Sequence, residues 1–238
     1  MNRQQHIRQS QRIISSHWQN DADSANDEAS GSVSKVSPSE PEHRLITQSR
    51  VTERGIPTGF SALDQALPWQ GLPSCGLIEV VCAQRDMTEL QLLLPALQQR
   101  SQGSQSLLWI APPYSPHGES LRQSGINLRN SFIITAQTQC NQALWSIEKA
   151  LQSKECSMVL AWQNWLSARV LRRLELAARH GDTLGVVFHR RAQLQSPSTL
   201  QLEVSVSTDL SSGKRALDVT VRQVCGQPQN TRHRLLVS

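Results

Sequence analysis

Apolar and polar positions alternate between two rhythms along this chain. Leu77-Ile78-Glu79-Val80-Val81-Cys82 is a short β-rich run. Residues 88–100 then place Leu90, Leu93, Leu94 and Leu97 at the spacing of one helix face. Leu107-Leu108-Trp109-Ile110 predicts a second strand, stopped by Pro112-Pro113, and a short helix around 118–123 ends at Gly125. Phe132-Ile133-Ile134 predicts a third strand, and residues 139–152 a helix with Leu144, Ile147 and Leu151 inward. Ser157-Met158-Val159-Leu160-Ala161 is a fourth strand, residues 168–180 a helix closed by Gly181, and Leu184-Gly185-Val186-Val187-Phe188 a fifth strand. The strands are continuous apolar runs separated by helices, which predicts a mostly parallel sheet covered on both faces. Residues 200–206 and 216–224 instead alternate with period two around Ser211-Ser212-Gly213, the pattern of a β-hairpin added at the sheet edge.

The chain has 238 residues, 38% hydrophobic and 18% charged. That suits one α/β core (about 51–191), preceded by residues 1–50 as an arm and followed by 192–238 as hairpin and basic tail. Residues 20–42 are rich in Ser, Asp, Glu, Ala and Pro and predict disorder. Residues 8–18 form a possible short helix with Ile13, Ile14 and Trp18 on one side, serving either as a partner handle or as a piece docked on the parent domain. The longest apolar run, residues 92–97, is far short of a membrane span, and the first residues lack a signal peptide's apolar block; a cytoplasmic protein is expected. The five cysteines form no C-x-x-C pair, so zinc ribbons and dithiol motifs are excluded and reduced, mostly buried thiols are expected. His117, His180, His189 and His233 have no metal-ligand spacing.

The turn after the first strand is where this fold class holds nucleotide phosphates, using glycines, a lysine and a metal-binding hydroxyl. Here it reads Cys82-Ala83-Gln84-Arg85-Asp86-Met87-Thr88-Glu89. Glycine and lysine are missing, Asp86 and Glu89 repel phosphate, and Arg85 is the one cation. Thr88 suits a helix cap and Glu89 the first helical turn. Cys82, at a strand end beside a helix start, reads as packing rather than as a nucleophile, since no base is assignable. The fourth strand ends in Ala161-Trp162-Gln163-Asn164-Trp165, with no carboxylate for magnesium; Trp162 and Trp165 serve as core or as a contact surface. No cofactor, no metal and no catalytic residue is expected.

The net charge is +5, and from Trp165 onward eleven Lys/Arg face five Asp/Glu. This basic third fits an anionic partner or a solubilising surface. Arg169, Arg172, Arg173 and Arg179 lie on the 168–180 helix, Arg190-Arg191 closes the fifth strand, and Arg232-His233-Arg234 is compatible with weak phosphate contact. Trp165, Arg169, Arg172, Arg173, Arg179, Arg232 and Arg234 are the partner-binding candidates; direct DNA contact is secondary, since no aromatic platform for single strands is visible.

Ile56-Pro57-Thr58-Gly59-Phe60-Ser61-Ala62-Leu63-Asp64, then Gly71-Leu72-Pro73-Ser74-Cys75-Gly76-Leu77-Ile78-Glu79, resembles the approach to a RecA-type core. With Glu89-Leu90-Gln91-Leu92-Leu93-Leu94-Pro95, Trp109-Ile110-Ala111-Pro112-Pro113, Ala143-Leu144-Trp145 and Val159-Leu160-Ala161-Trp162, the chain resembles the ImuA/SulA superfamily. The likeness is to ImuA from about residue 51 onward, and to SulA over roughly 76–191. It implies an α/β, three-layer RecA-like core with a degenerate phosphate loop, in a non-enzymatic SOS-response protein. An ImuA-type protein supports translesion synthesis with RecA and an ImuB/error-prone polymerase assembly, which is the expected function. A SulA-type protein binds FtsZ and blocks septum formation, the alternative. Where SulA has a tryptophan in the helix before Ser124-Gly125, this chain has Ser120 and Leu121.

Overall fold

The computed structural model describes residues 54–83, 87–135, 140–163, 166–191, 195–209 and 213–237. The expectations for residues 1–50, and those for Arg85, Asp86 and Trp165, lie outside the described residues. Eight strands are present: β1 (Gly76–Cys82), β2 (Ser106–Ile110), β3 (Ser131–Ile134), β4 (Cys156–Trp162), β5 (Leu184–His189), β6 (Leu200–Thr208), β7 (Arg215–Val224) and β8 (Gln227–Leu236). The helices are α1 (Ser61–Ala66), α2 (Leu94–Ser101), α3 (Gly118–Gln123), α4 (Cys140–Gln152) and α5 (Ala168–Gly181), with a 3-10 turn at Thr88–Leu93. The fold is α/β, with one sheet in the order β3-β2-β4-β5-β1-β6-β7-β8.

β3, β2, β4, β5, β1 and β6 pair in parallel; β7 and β8 return antiparallel. The expected edge hairpin is therefore built differently. Its first strand, β6, is a sixth parallel strand hydrogen-bonded to β1. Residues 227–236, assigned above to a basic tail, form β8. Cys225 (φ 47°) and Gly226 (φ 78°) make the tight turn between β7 and β8, both in the left-handed conformation that primed hairpin turns require.

Two local expectations also shift. The helix expected over 88–100 opens as the 3-10 turn and becomes α-helical only from Leu94, with Pro95 in its first turn. Proline has no N–H to give to the carbonyl four residues back, so it fits a helix start but not an interior. The left-handed residue that ends α5 is Asp182 (φ 53°), not Gly181. Gly181 is needed for a different reason: a Cβ there would sit 2.1 Å from the Leu151 carbonyl oxygen at the end of α4.

Alternation along the strands divides the core between the two faces of the sheet. Ile78, Val80 and Cys82 of β1 join Leu63, Leu72, Leu92 and Leu97 on one face, and this layer continues under β6–β8 through Leu202, Val219 and Leu235. Leu77 joins Ile110, Val159 and Val187 on the other, packed by Ile147 and Leu151 of α4 and Leu171, Leu174 and Ala178 of α5. The lead-in before β1 is stitched to the first layer. Ile56 bridges Leu72, and buried Thr58 donates to Asp64 Oδ1 through both its N–H (2.9 Å) and its hydroxyl (2.8 Å). Among the described residues no helix is long and apolar enough to cross a membrane.

Candidate interaction surface

Cys82 and Glu89 are both buried, and the Cys82 thiol donates to Glu89 Oε1 at 3.7 Å. The cap position belongs to Met87 (φ 64°), so Thr88 opens the 3-10 turn instead of capping it. A carboxylate is thus buried in the 3-10 turn that follows β1. Trp162 is core: its ring stacks on Phe188 at 4.5 Å and on Trp109 at 6.0 Å. Cys75, Cys82 and Cys156 are buried and not joined in disulfides, and burial beside Glu155 pushes the Cys156 thiol up to about 11. Among the described residues no group of His, Cys, Asp or Glu is arranged to hold a metal ion.

The arginines of α5 divide into two sets. The Ser167 hydroxyl caps the helix by accepting from Val170 N–H at 3.3 Å. Leu171, Leu174, Glu175, Ala177 and Ala178 turn inward, which leaves Arg169, Arg172, Arg173, Leu176 and His180 exposed. Arg173 reaches across to Glu148 on α4. Arg179 is half-buried: its Nε donates to Glu175 Oε1 at 2.5 Å and its Nη2 to Thr199 Oγ1 at 3.1 Å. These bonds tie α5 to the segment before β6. Arg232-His233-Arg234 does not form one patch, because a strand sends neighbours to opposite faces. Arg232 and Arg234 share a face, where Arg234 lies 3.4 Å from Asp218 and donates to Ser207 at 3.1 Å; His233, half-buried, points the other way.

Sequence reasoning missed the two buried carboxylates that fasten residues 195–199 to the sheet. Glu79, fully buried in β1, has Oε2 2.9 Å from His189 Nε2 of β5. Its other oxygen accepts from the hydroxyls of Ser196 and Ser198, the latter at 2.5 Å. Burial pushes this carboxyl up, but His189 and the two hydroxyls outweigh burial and hold it below its ordinary range. The Gln223 side chain from β7 takes both backbone groups of Ser196, accepting from its N–H at 3.0 Å and donating to its carbonyl. Glu175 of α5 repeats the device one turn along: it accepts from Leu77 N–H (2.8 Å), Thr199 N–H (3.0 Å) and Thr199 Oγ1 (2.7 Å). Gly76 (φ 99°) makes room, since a Cβ would lie 2.4 Å from Thr199 Oγ1. The legible signal was a lone acid inside the apolar run of β1, which burial obliges to find partners.

The family described as "Cell division inhibitor SulA" matches residues 76–185, from β1 into β5. Cell division inhibitor SulA of Yersinia pestis (strain Pestoides F) is 37% identical over 113 residues, 47% of this chain and 67% of that protein. The Yersinia pseudotuberculosis (serotype O:1b, strain IP 31758) protein gives the same values. The chain belongs to the SulA family. A crystal structure of SulA from Pseudomonas aeruginosa is similar at 26% identity and a TM-score of 0.40, over 48% of this chain and 98% of that one. The lead-in segment and β6–β8 fall outside the SulA match.

These relatives overturn the expected ImuA-type function in translesion synthesis, and RecA and an ImuB/error-prone polymerase assembly lose their support as partners with it. The residues that suggested ImuA have structural employment. Thr58 ties the lead-in to Asp64, Leu92, Leu93 and Leu97 pack on the sheet, and Trp109 and Trp162 form the stacked core. Of Ser120 and Leu121, Leu121 packs partly buried against the first core layer and Ser120 is exposed.

Proposed function

We propose that this protein is a non-catalytic inhibitor of cell division that acts in the cytoplasm by binding FtsZ and blocking septum formation. The observation that carries the reading is the identity with the Yersinia division inhibitors across the central strands and the helices between them. The buried Cys82–Glu89 contact agrees with it, since an acid after β1 would repel the phosphates of a bound nucleotide. Such a scaffold acts by surface complementarity, removing FtsZ subunits from assembly without chemistry of its own. It serves the SOS response, in which division waits for repair.

Expression in growing, undamaged cells tests this directly. Filamentation is the expected result, relieved by FtsZ variants that no longer bind the inhibitor. In vitro, the purified chain lowers the light scattering of FtsZ assembling with GTP. Normal division at high expression, together with undisturbed FtsZ assembly, overturns the proposal. ATP with magnesium should leave the melting temperature unmoved, since only a ligand that binds the native state raises it.

A further inference from the structure

The outward face of α5 carries one kind of chemistry. Arg169, Arg172, Arg173, Leu176 and His180 recur at helical spacing and all are exposed, Leu176 to 53%. The helix's one acid, Glu175, is turned inward and spent on Leu77, Thr199 and Arg179. Lys149 of α4 adds an exposed cation beyond Glu148.

Two features separate this stripe from an ordinary wetted surface. A solvated helix face mixes both signs, whereas this one sets cations around an apolar side chain. Arg169 also occupies the first turn of α5, where the helix dipole favours acids, and that turn holds none. Arg173 pairs with Glu148. Arg169 breaks that local rule, and among the described residues no ion pair engages it or Arg172, as suits residues kept for binding.

We propose that this face docks an acidic segment of FtsZ with an apolar residue at its centre. This rests on the function proposed above and adds where contact is made and by what chemistry. Guanidinium groups pair with carboxylates bidentately, and Leu176 supplies the desolvated centre that such contacts need. Rising salt therefore weakens binding.

The test uses the full chain and FtsZ in three arms. First, R169E/R172E should bind FtsZ about ten-fold or more weakly, with unchanged melting, while R169K/R172K retains most of the affinity. Second, R215E/R222E on β7 should bind as the wild type does. Third, a photo-crosslinking residue at Leu176 should capture an FtsZ peptide rich in Asp and Glu. Wild-type binding that survives R169E/R172E, or a captured peptide that is not acidic, overturns the docking face and leaves the division reading standing. A wild type that does not bind FtsZ overturns both.

Discussion

From β2 to β1 the sheet is buried from both sides; from β6 outward it is buried from one. β1, β4 and β5 carry apolar side chains toward both helical layers and are buried at every position. In β6–β8 the face that continues the first core layer is apolar, and the opposite face carries Glu203, Ser205, Ser207, Asp218, Thr220, Arg222, Arg232 and Arg234, tied by exposed pairs such as Arg222–Glu203. One sheet thus uses two kinds of cohesion. The first half relies on close packing, the second on packing below and ion pairs in water above. The difference teaches where substitutions register, because packed rings and buried charges cost far more to disturb than solvated pairs.

Four measurements break or sharpen this contrast. W162A opens a cavity between Trp109 and Phe188 and should cost about 3–5 kcal/mol in urea unfolding; a loss below about 1 kcal/mol would refute the packed half. E79Q, at the seam between halves, should cost about 3 kcal/mol, because it leaves His189, Ser196 and Ser198 mismatched around a buried site. Its pH dependence has a definite sign. The folded carboxyl sits below its unfolded range of about 4.3, so its stabilisation is present above that value and drains away as pH falls through the folded one. Acid should therefore narrow the gap between wild type and E79Q, and a constant gap would show that Glu79 is not the group responsible. T58V, which removes the hydroxyl bonded to Asp64, should cost about 1–2 kcal/mol by the same unfolding assay. R222A on the open face should cost less than about 1 kcal/mol, and less again in high salt. A loss as large as that of W162A would erase the distinction.

Legibility follows the same division. β1–β5 and the helices between them could be read from the sequence because burial on both faces forces unbroken apolar runs. β8 could not. Gln227-Pro228-Gln229-Asn230-Thr231-Arg232-His233-Arg234 reads as a soluble tail, since an edge strand with one wet face and a proline near its start needs little apolar surface. The arginines were visible as a basic helix, but Arg179 was indistinguishable from Arg172 without knowing that Glu175 turns inward. Glu79 and Glu175 were visible as charges and silent as hubs. Their partners lie as many as 119 residues away, a distance no local pattern spans.

That separation has a consequence for synthesis. Ribosomes deliver β1 early and Ser196 and Ser198 more than a hundred residues later. Until they emerge, the nascent chain holds a carboxylate met on one side alone, on β1, which is then the open edge of its sheet. The domain matures in a single late step, when the returning segment covers both at once, and a ribosome halted near residue 190 would release a product for proteases to clear.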